Sequence, residues 1–120
     1  MESALNVYGE PLEICCSTPP TGFYRDGYCQ TGRQDFGTHT VCAQVTEEFL
    51  SFSLSRGNNL ISPQPLYQFG GLQRGDFWCL CISRWLEAYE AGVAPKIKLS
   101  ACHIKCLEYV SLEVLETYSL

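Results

Sequence analysis

Residues 75–85 read GDFWCLCISRW. Cys79 and Cys81 stand one residue apart, between Trp78 and Trp85 and close to Arg84. Thiols in such company can ligate a soft metal, exchange disulfides or attack as a thiolate. On a strand, residues i and i+2 share a face about 6.6 Å apart. That is near the upper end for bridged cysteines, and parallel side chains aim poorly, so a direct Cys79–Cys81 bridge would need a distorted strand. Zinc is easier to satisfy if Cys16, Cys29, His39 or Cys42 converges on the pair. The spacing, however, is a single C-x-C and one His39-x2-Cys42 rather than paired C-x2-4-C. The plain alternative is burial, since cysteine behaves as a small hydrophobe. The two positions are unequal. Cys79 falls mid-strand and reads as core. Cys81 ends the strand, ahead of a helix that begins near Ser83 with Arg84 in its first turn, the surroundings that reactive thiols share.

Other residues extend this chemistry. His39 is a candidate base for Cys81 or Cys42, with Arg84 as an anion holder. Arg25, Asp26, His39, Asp76 and Arg84 form the candidate ligand-binding set, and Asp35 and His103 are further polar candidates. Each has an ordinary reading: a turn ion pair for Arg25-Asp26, a hydrogen-bonded histidine for His39, turn chemistry at a strand start for Asp76. Cys102 and Cys106 are four apart on an expected helix, with His103 between them. Phe23, Tyr24, Tyr28, Tyr67, Phe69, Phe77, Trp78 and Trp85 serve either a core or a pocket wall. Phosphate-loop, dinucleotide, nucleophile-elbow and zincin motifs are absent.

The elements that must position these residues follow from periodicity. Residues 1–40 are rich in Gly and Pro turns, with a possible strand at Ala4 to Tyr8. Residues 40–45 alternate, with Val41, Ala43 and Val45 on one face, and read as a strand. A helix over 47–56 is framed by Thr46 as N-cap, Glu47 and Glu48 in the first turn, and Gly57 after its end. Residues 57–75 form a long apolar loop, expected to pack down. Asp76 to Cys81 is apolar on both faces, which suggests a central strand. A helix over 83–91 follows, with Ile82, Trp85, Leu86 and Tyr89 on one stripe. KIKLS at 96–100 alternates as a strand. Residues 101–109 read as helix, and Ser111 caps a short helix over Leu112 to Tyr118. Strand, helix and strand across 76–100 suggest a βαβ-like crossover. The expected class is α+β: a small sheet with about three helices on one side and a loop-rich N-terminal third.

Composition bounds function. The chain has 120 residues, 46% of them apolar, which suits one domain over 1–120. Net charge is −5, and the eight basic residues are scattered. That disfavours nucleic acid and anionic membrane as partners. The first 16 residues carry an acid at position 2 and no basic or apolar leader pattern, so a cytoplasmic protein with mostly reduced thiols is expected.

Five ordered stretches carry a family resemblance: NVYGEPLE at 6–13, CSTPPTGFYRDGYC at 16–29, DFGTHTVCA at 35–43, EFLSFSLSRGNNL at 48–60 and GDFWCLCISRWLEAYEAGVAP at 75–95. Together they resemble the small-protein family catalogued as domain of unknown function 2237, over about 6–118. The resemblance implies a compact two-layer sandwich and brings no activity, ligand or catalytic residue with it. It also implies a family cysteine set of Cys16, Cys29, Cys42, Cys79 and Cys81, with Cys15, Cys102 and Cys106 as additions and Pro19 in place of an acid. An odd set argues against full disulfide pairing, and any metal would fall to those five.

Three functions are open on these grounds. One is a small binding or accessory domain, its pocket at the 16–43 loops and the 76–85 strand–helix junction, taking a small molecule or a protein. The second is a thiol enzyme or redox protein using Cys81 or Cys42 with His39. The third is a zinc-stabilised structural domain, although no cofactor is required by the sequence.

Overall fold

The computed structural model describes residues 4–17, 21–67 and 69–120, so Pro19 lies outside the described residues. Strand β1 (His39–Gln44) leads into helix α1 (Glu47–Ser55). Strand β2 (Phe77–Cys81) runs directly into α2 (Ile82–Glu90), followed by β3 (Lys96–Ile97) and, near the end, α3 (Leu112–Thr117). The class is α+β. None of these helices is long and apolar enough to cross a membrane.

The sheet order is β2-β1-β3, with both neighbours antiparallel to β1. β2 and β3 therefore run parallel on either side of β1, and β2–α2–β3 is a split form of the expected crossover. β1, not β2, is the central strand. Val41, Cys42 and Ala43 are all fully buried, so its pattern is apolar on both faces rather than alternating between core and solvent. β2 is an edge strand in hydrogen-bonding terms. It is buried all the same, because the N-terminal loop covers it: the Cys79 N–H donates to Thr21 Oγ1 at 2.8 Å.

Helix ends follow their local chemistry. Thr46 Oγ1 accepts the Phe49 N–H, and Gly57 takes the left-handed φ of +84° that ends α1. Ser111 Oγ accepts the Val114 N–H and starts α3. α2 buries Ile82, Trp85 and Ala88, and the Trp85 indole donates to the Pro95 carbonyl at 3.1 Å. Its N-cap residue is Cys81, whose side chain makes no capping bond.

Several expectations are corrected. Ala4 to Tyr8 makes only isolated bridges, Leu5 to Pro11 and Asn6 to His103, because Gly9 turns the chain back at once. KIKLS pairs for two residues and then winds into a 3-10 turn at Leu99–Ala101. The 101–109 segment is also 3-10, at Ile104–Glu108, with His103 as its N-cap. The 57–75 loop packs down in part: Leu72 is buried, whereas Leu66 is 95% exposed.

The largest departure concerns the cysteines. Cys15 is bridged to Cys42 and Cys29 to Cys79. Register explains why: Cys42 and Cys79 are direct partners across β1 and β2, and the loop-rich segment crosses this pair twice. Cys15, outside the expected family set, is a bridge partner, and the expectation of mostly reduced thiols gives way to two clips that fasten the N-terminal third to the sheet.

Candidate functional site

At the end of β2, Cys81 Sγ lies 3.3 Å from His39 Nε2. The other ring nitrogen, His39 Nδ1, is 2.6 Å from Asp35 Oδ1. The Asp35 side chain is fully buried, while that of His39 is one-third exposed. Thiol, imidazole and carboxylate thus form a line, the arrangement in which a base is oriented by a third group. The hydrogen bond to Cys81 is the main cause that raises the His39 pKa from 6.5 to about 9; burial opposes it, and Asp35 adds to it. The imidazole therefore carries its proton at neutral pH.

The chain builds this line locally. Asp35 Oδ2 also accepts the His39 backbone N–H at 2.8 Å, so one carboxylate holds both the backbone and the ring of His39. Between them Thr38 has φ +52°, a conformation that a β-branched residue rarely adopts and that surrounding structure must enforce. Its carbonyl accepts the N–H of Ile82, the first residue of α2, and that of Thr40. The 35–39 turn is thereby tied to the helix that Cys81 begins. Gly37 keeps space beside the sulfur: a Cβ there would lie 2.9 Å from both Cys81 Sγ and His39 Cε1.

His39 lines a cleft of about 430 Å³. Phe23, Phe69 and Trp78 supply apolar walls, and Arg25, Asn59 and Gln64 supply polar groups. The Arg25 guanidinium lies over the Trp78 ring, 5.0 Å from its centroid. Phe23 leans on the His39 ring at 6.1 Å between centroids. Cys81 does not line this cleft; it meets the cleft through its contact with His39.

The remaining candidates separate. Asp26 is occupied in its own turn, accepting from the Tyr28 N–H and Gln30 Nε2. Asp76 accepts the Gln73 N–H ahead of β2. Arg84 donates to the Arg56 carbonyl and to Glu87, joining α1 to α2 away from His39. Cys42 is bridged and fully buried, so it is no thiol in this state. His103 accepts the Lys105 N–H as a cap. The sulfurs of Cys15, Cys29 and Cys79 lie within 4.8 Å of one another, all buried. That is a thiol donor set only if the bridges are opened. Cys102 and Cys106 sit under β1, where burial pushes the Cys106 thiol up to about 11 and Cys102 higher.

Sequence reasoning named Cys81 and His39 and left Asp35 as one polar residue among several. The D-x3-H spacing around Gly37 is the signal that marks it. Gln64, from the long loop, had no such signal, whereas Phe69 was among the aromatic candidates for a pocket wall.

The family model described as "Uncharacterized protein conserved in bacteria (DUF2237)" matches residues 5–119. Among curated proteins, none matches the chain. A match over nearly the whole length settles kinship: the chain belongs to the DUF2237 family.

Proposed function

We propose that the protein is a thiol-dependent enzyme, with Cys81 as nucleophile, His39 as its acid–base partner and Asp35 as the group that orients His39. The observation that carries this reading is the Cys81–His39–Asp35 line, closed by contacts of 3.3 Å and 2.6 Å. In the step it supports, the Cys81 sulfur adds to an electrophilic carbonyl carbon, forming a C–S bond. The leaving group departs with its bonding electrons and takes the proton from His39 Nε2. Water then hydrolyses the thioester, giving a carboxylic acid and restoring the thiol. The first turn of α2 leaves backbone N–H groups without intrahelical partners. Ile82 spends its own on Thr38, so Ser83 and Arg84 are the amides assigned to a developing oxyanion.

The test is alkylation with iodoacetamide at pH 7, with mass spectrometry to locate the label. Cys81 is expected to react first, at least roughly tenfold faster than free cysteine, with most of that gain lost in His39→Gln. A native protein in which no thiol outpaces free cysteine sinks the assignment. A pure binding domain uses the same cleft without needing the thiol, and is favoured if Cys81→Ser leaves the biological role intact.

The convergence of Cys15, Cys29 and Cys79 supports a second reading, a zinc-stabilised form of the reduced chain with these three as thiolate ligands. Elemental analysis of protein isolated under reducing conditions decides it: one zinc per chain supports this reading, and none ends it. Thiol counting on protein taken from its source without reductant likewise separates a cytoplasmic chain from one in an oxidising compartment.

A further inference from the structure

We propose that the cleft beside His39 takes an organic anion with a flat apolar body, an aromatic carboxylate that carries an ester-like group at its other end, and that Arg25 holds the carboxylate. This deepens the thiol-enzyme reading by naming a substrate class, and its binding half can be tested without the thiol.

Three observations converge on Arg25. First, its backbone has φ +56°, an uncommon conformation for a residue with a long side chain. Such strain persists only where the surroundings enforce it. Here Gly22, Asp26 and Tyr28 do so: the Arg25 N–H bonds the Gly22 carbonyl, and Asp26 Oδ1 takes the Tyr28 N–H. Second, the guanidinium carbon lies over the Trp78 ring, 5.0 Å from its centroid, a cation–π contact that engages the face of the cation and not its N–H donors. Third, among the described residues no carboxylate pairs with it. Asp26 is its neighbour in sequence, but both oxygens are spent on Tyr28 and Gln30.

The rest of the cleft fits the other half of the ligand. Its volume of about 430 Å³ falls within the range of small-molecule sites, roughly 300–1,000 Å³. Phe23, Phe69 and Trp78 offer ring faces, and among the described residues no acid lines the cleft. A guanidinium fork matches a carboxylate with two parallel hydrogen bonds. The chain as a whole carries −5, so its general field repels anions, and preference for an anion here must come from a placed cation. His39 lines the same cleft, which sets the ligand's other end toward the imidazole, itself in contact with Cys81.

The experiment uses Cys81→Ser, in which no covalent step is available. Phenylacetate and its neutral counterpart phenylacetamide are titrated while the Trp78 indole N–H resonance is followed. Phenylacetate is expected to bind at least roughly tenfold tighter, as one charge-assisted pair supplies. Arg25→Asn should erase the difference; Asn tolerates positive φ, so the turn survives. Equal binding of the two probes, no binding of either, or an unchanged preference in Arg25→Asn overturns the proposal. A second measurement uses the intact thiol. The iodoacetate to iodoacetamide rate ratio at Cys81 should exceed that of free cysteine and fall to it in Arg25→Asn; an unraised ratio overturns the proposal too. Failure of the two readings is distinguishable. A sluggish Cys81 with selective phenylacetate binding removes the enzyme and keeps the anion site. A fast Cys81 with no anion preference does the reverse.

Discussion

His39 faces Cys81 because β1 carries one residue more than β2 at that end. Val41, Cys42, Ala43 and Gln44 pair in regular order with Leu80, Cys79, Trp78 and Phe77, but Cys81 pairs with His39, skipping Thr40. That is a β-bulge. The Thr40 carbonyl turns instead to the His103 N–H at 2.9 Å and to Cys106 Sγ at 3.4 Å. A one-residue change of register sends side chains to the opposite face, so the bulge is what aims the imidazole at the thiol.

Gly37 should be the most informative small substitution at the site. A Cβ there would press on Cys81 Sγ and His39 Cε1 at 2.9 Å, while the backbone lies outside the left-handed region that would exclude alanine. Gly37→Ala is expected to slow Cys81 alkylation severalfold with little change in melting temperature. Equal alkylation rates in the two proteins would show that the sulfur does not work through this geometry.

The His39 titration carries a sign that can be checked. The folded protein holds the His39 proton up to about pH 9, against 6.5 for an ordinary histidine. A proton bound more tightly in the folded state stabilises the fold fully below pH 6.5, and that contribution is lost as pH rises through about 9. NMR of the imidazole carbons should place the midpoint well above 6.5. Cys81→Ser should lower the midpoint more than Asp35→Asn, since the bond to Cys81 is the larger cause. A midpoint near 6.5 in the intact protein would contradict the arrangement.

Local signals explain what was legible in the chain. Thr46 with Glu47 and Glu48, and Ser111 ahead of Leu112, write their caps within a few residues, and both helices start there. The place of Cys81 at a strand–helix junction, and His39 as a candidate to meet it, followed from position and type. What stayed hidden depends on register and loop closure. The pairing of Cys42 opposite Cys79 fixes which cysteines meet, and no spacing rule encodes it. That Cys15 is a bridge partner of Cys42 depends on how its loop is held, with the Cys15 N–H on the Gly27 carbonyl, a contact across the loop. Arg84, beside Cys81 in sequence, goes to the end of α1 instead, because its side chain leaves the helix toward the Arg56 carbonyl.

The two bridges should contribute unequally to stability. Cys29–Cys79 closes a longer span, 50 residues, than Cys15–Cys42 with 27. Loop-closure entropy removed from the unfolded chain grows with span. Each Cys-to-Ala pair should cost about 2–4 kcal/mol, with Cys29→Ala/Cys79→Ala the costlier. Cys79 also lines the cleft, and Cys29 anchors the loop that carries Arg25. The Cys29→Ala/Cys79→Ala variant should therefore weaken phenylacetate binding more than its counterpart at Cys15 and Cys42. Denaturant melts and the same titration check both, and equal effects from the two pairs would count against this tether.

Cys102 and Cys106 provide the internal control for thiol reactivity. Both are buried under β1: Cys102 Sγ accepts the Cys42 N–H, and Cys106 Sγ donates to Thr40. Burial pushes both thiols up, Cys106 to about 11, which keeps them protonated and unreactive at neutral pH. In native protein at pH 7 neither should take up iodoacetamide while Cys81 is labelled. In denaturant both should react at the rate of ordinary cysteine. Native labelling of Cys106 at a rate close to that of Cys81 would mean that the sheet opens locally at the bulge. The aim of His39 at Cys81 would then be transient rather than built in.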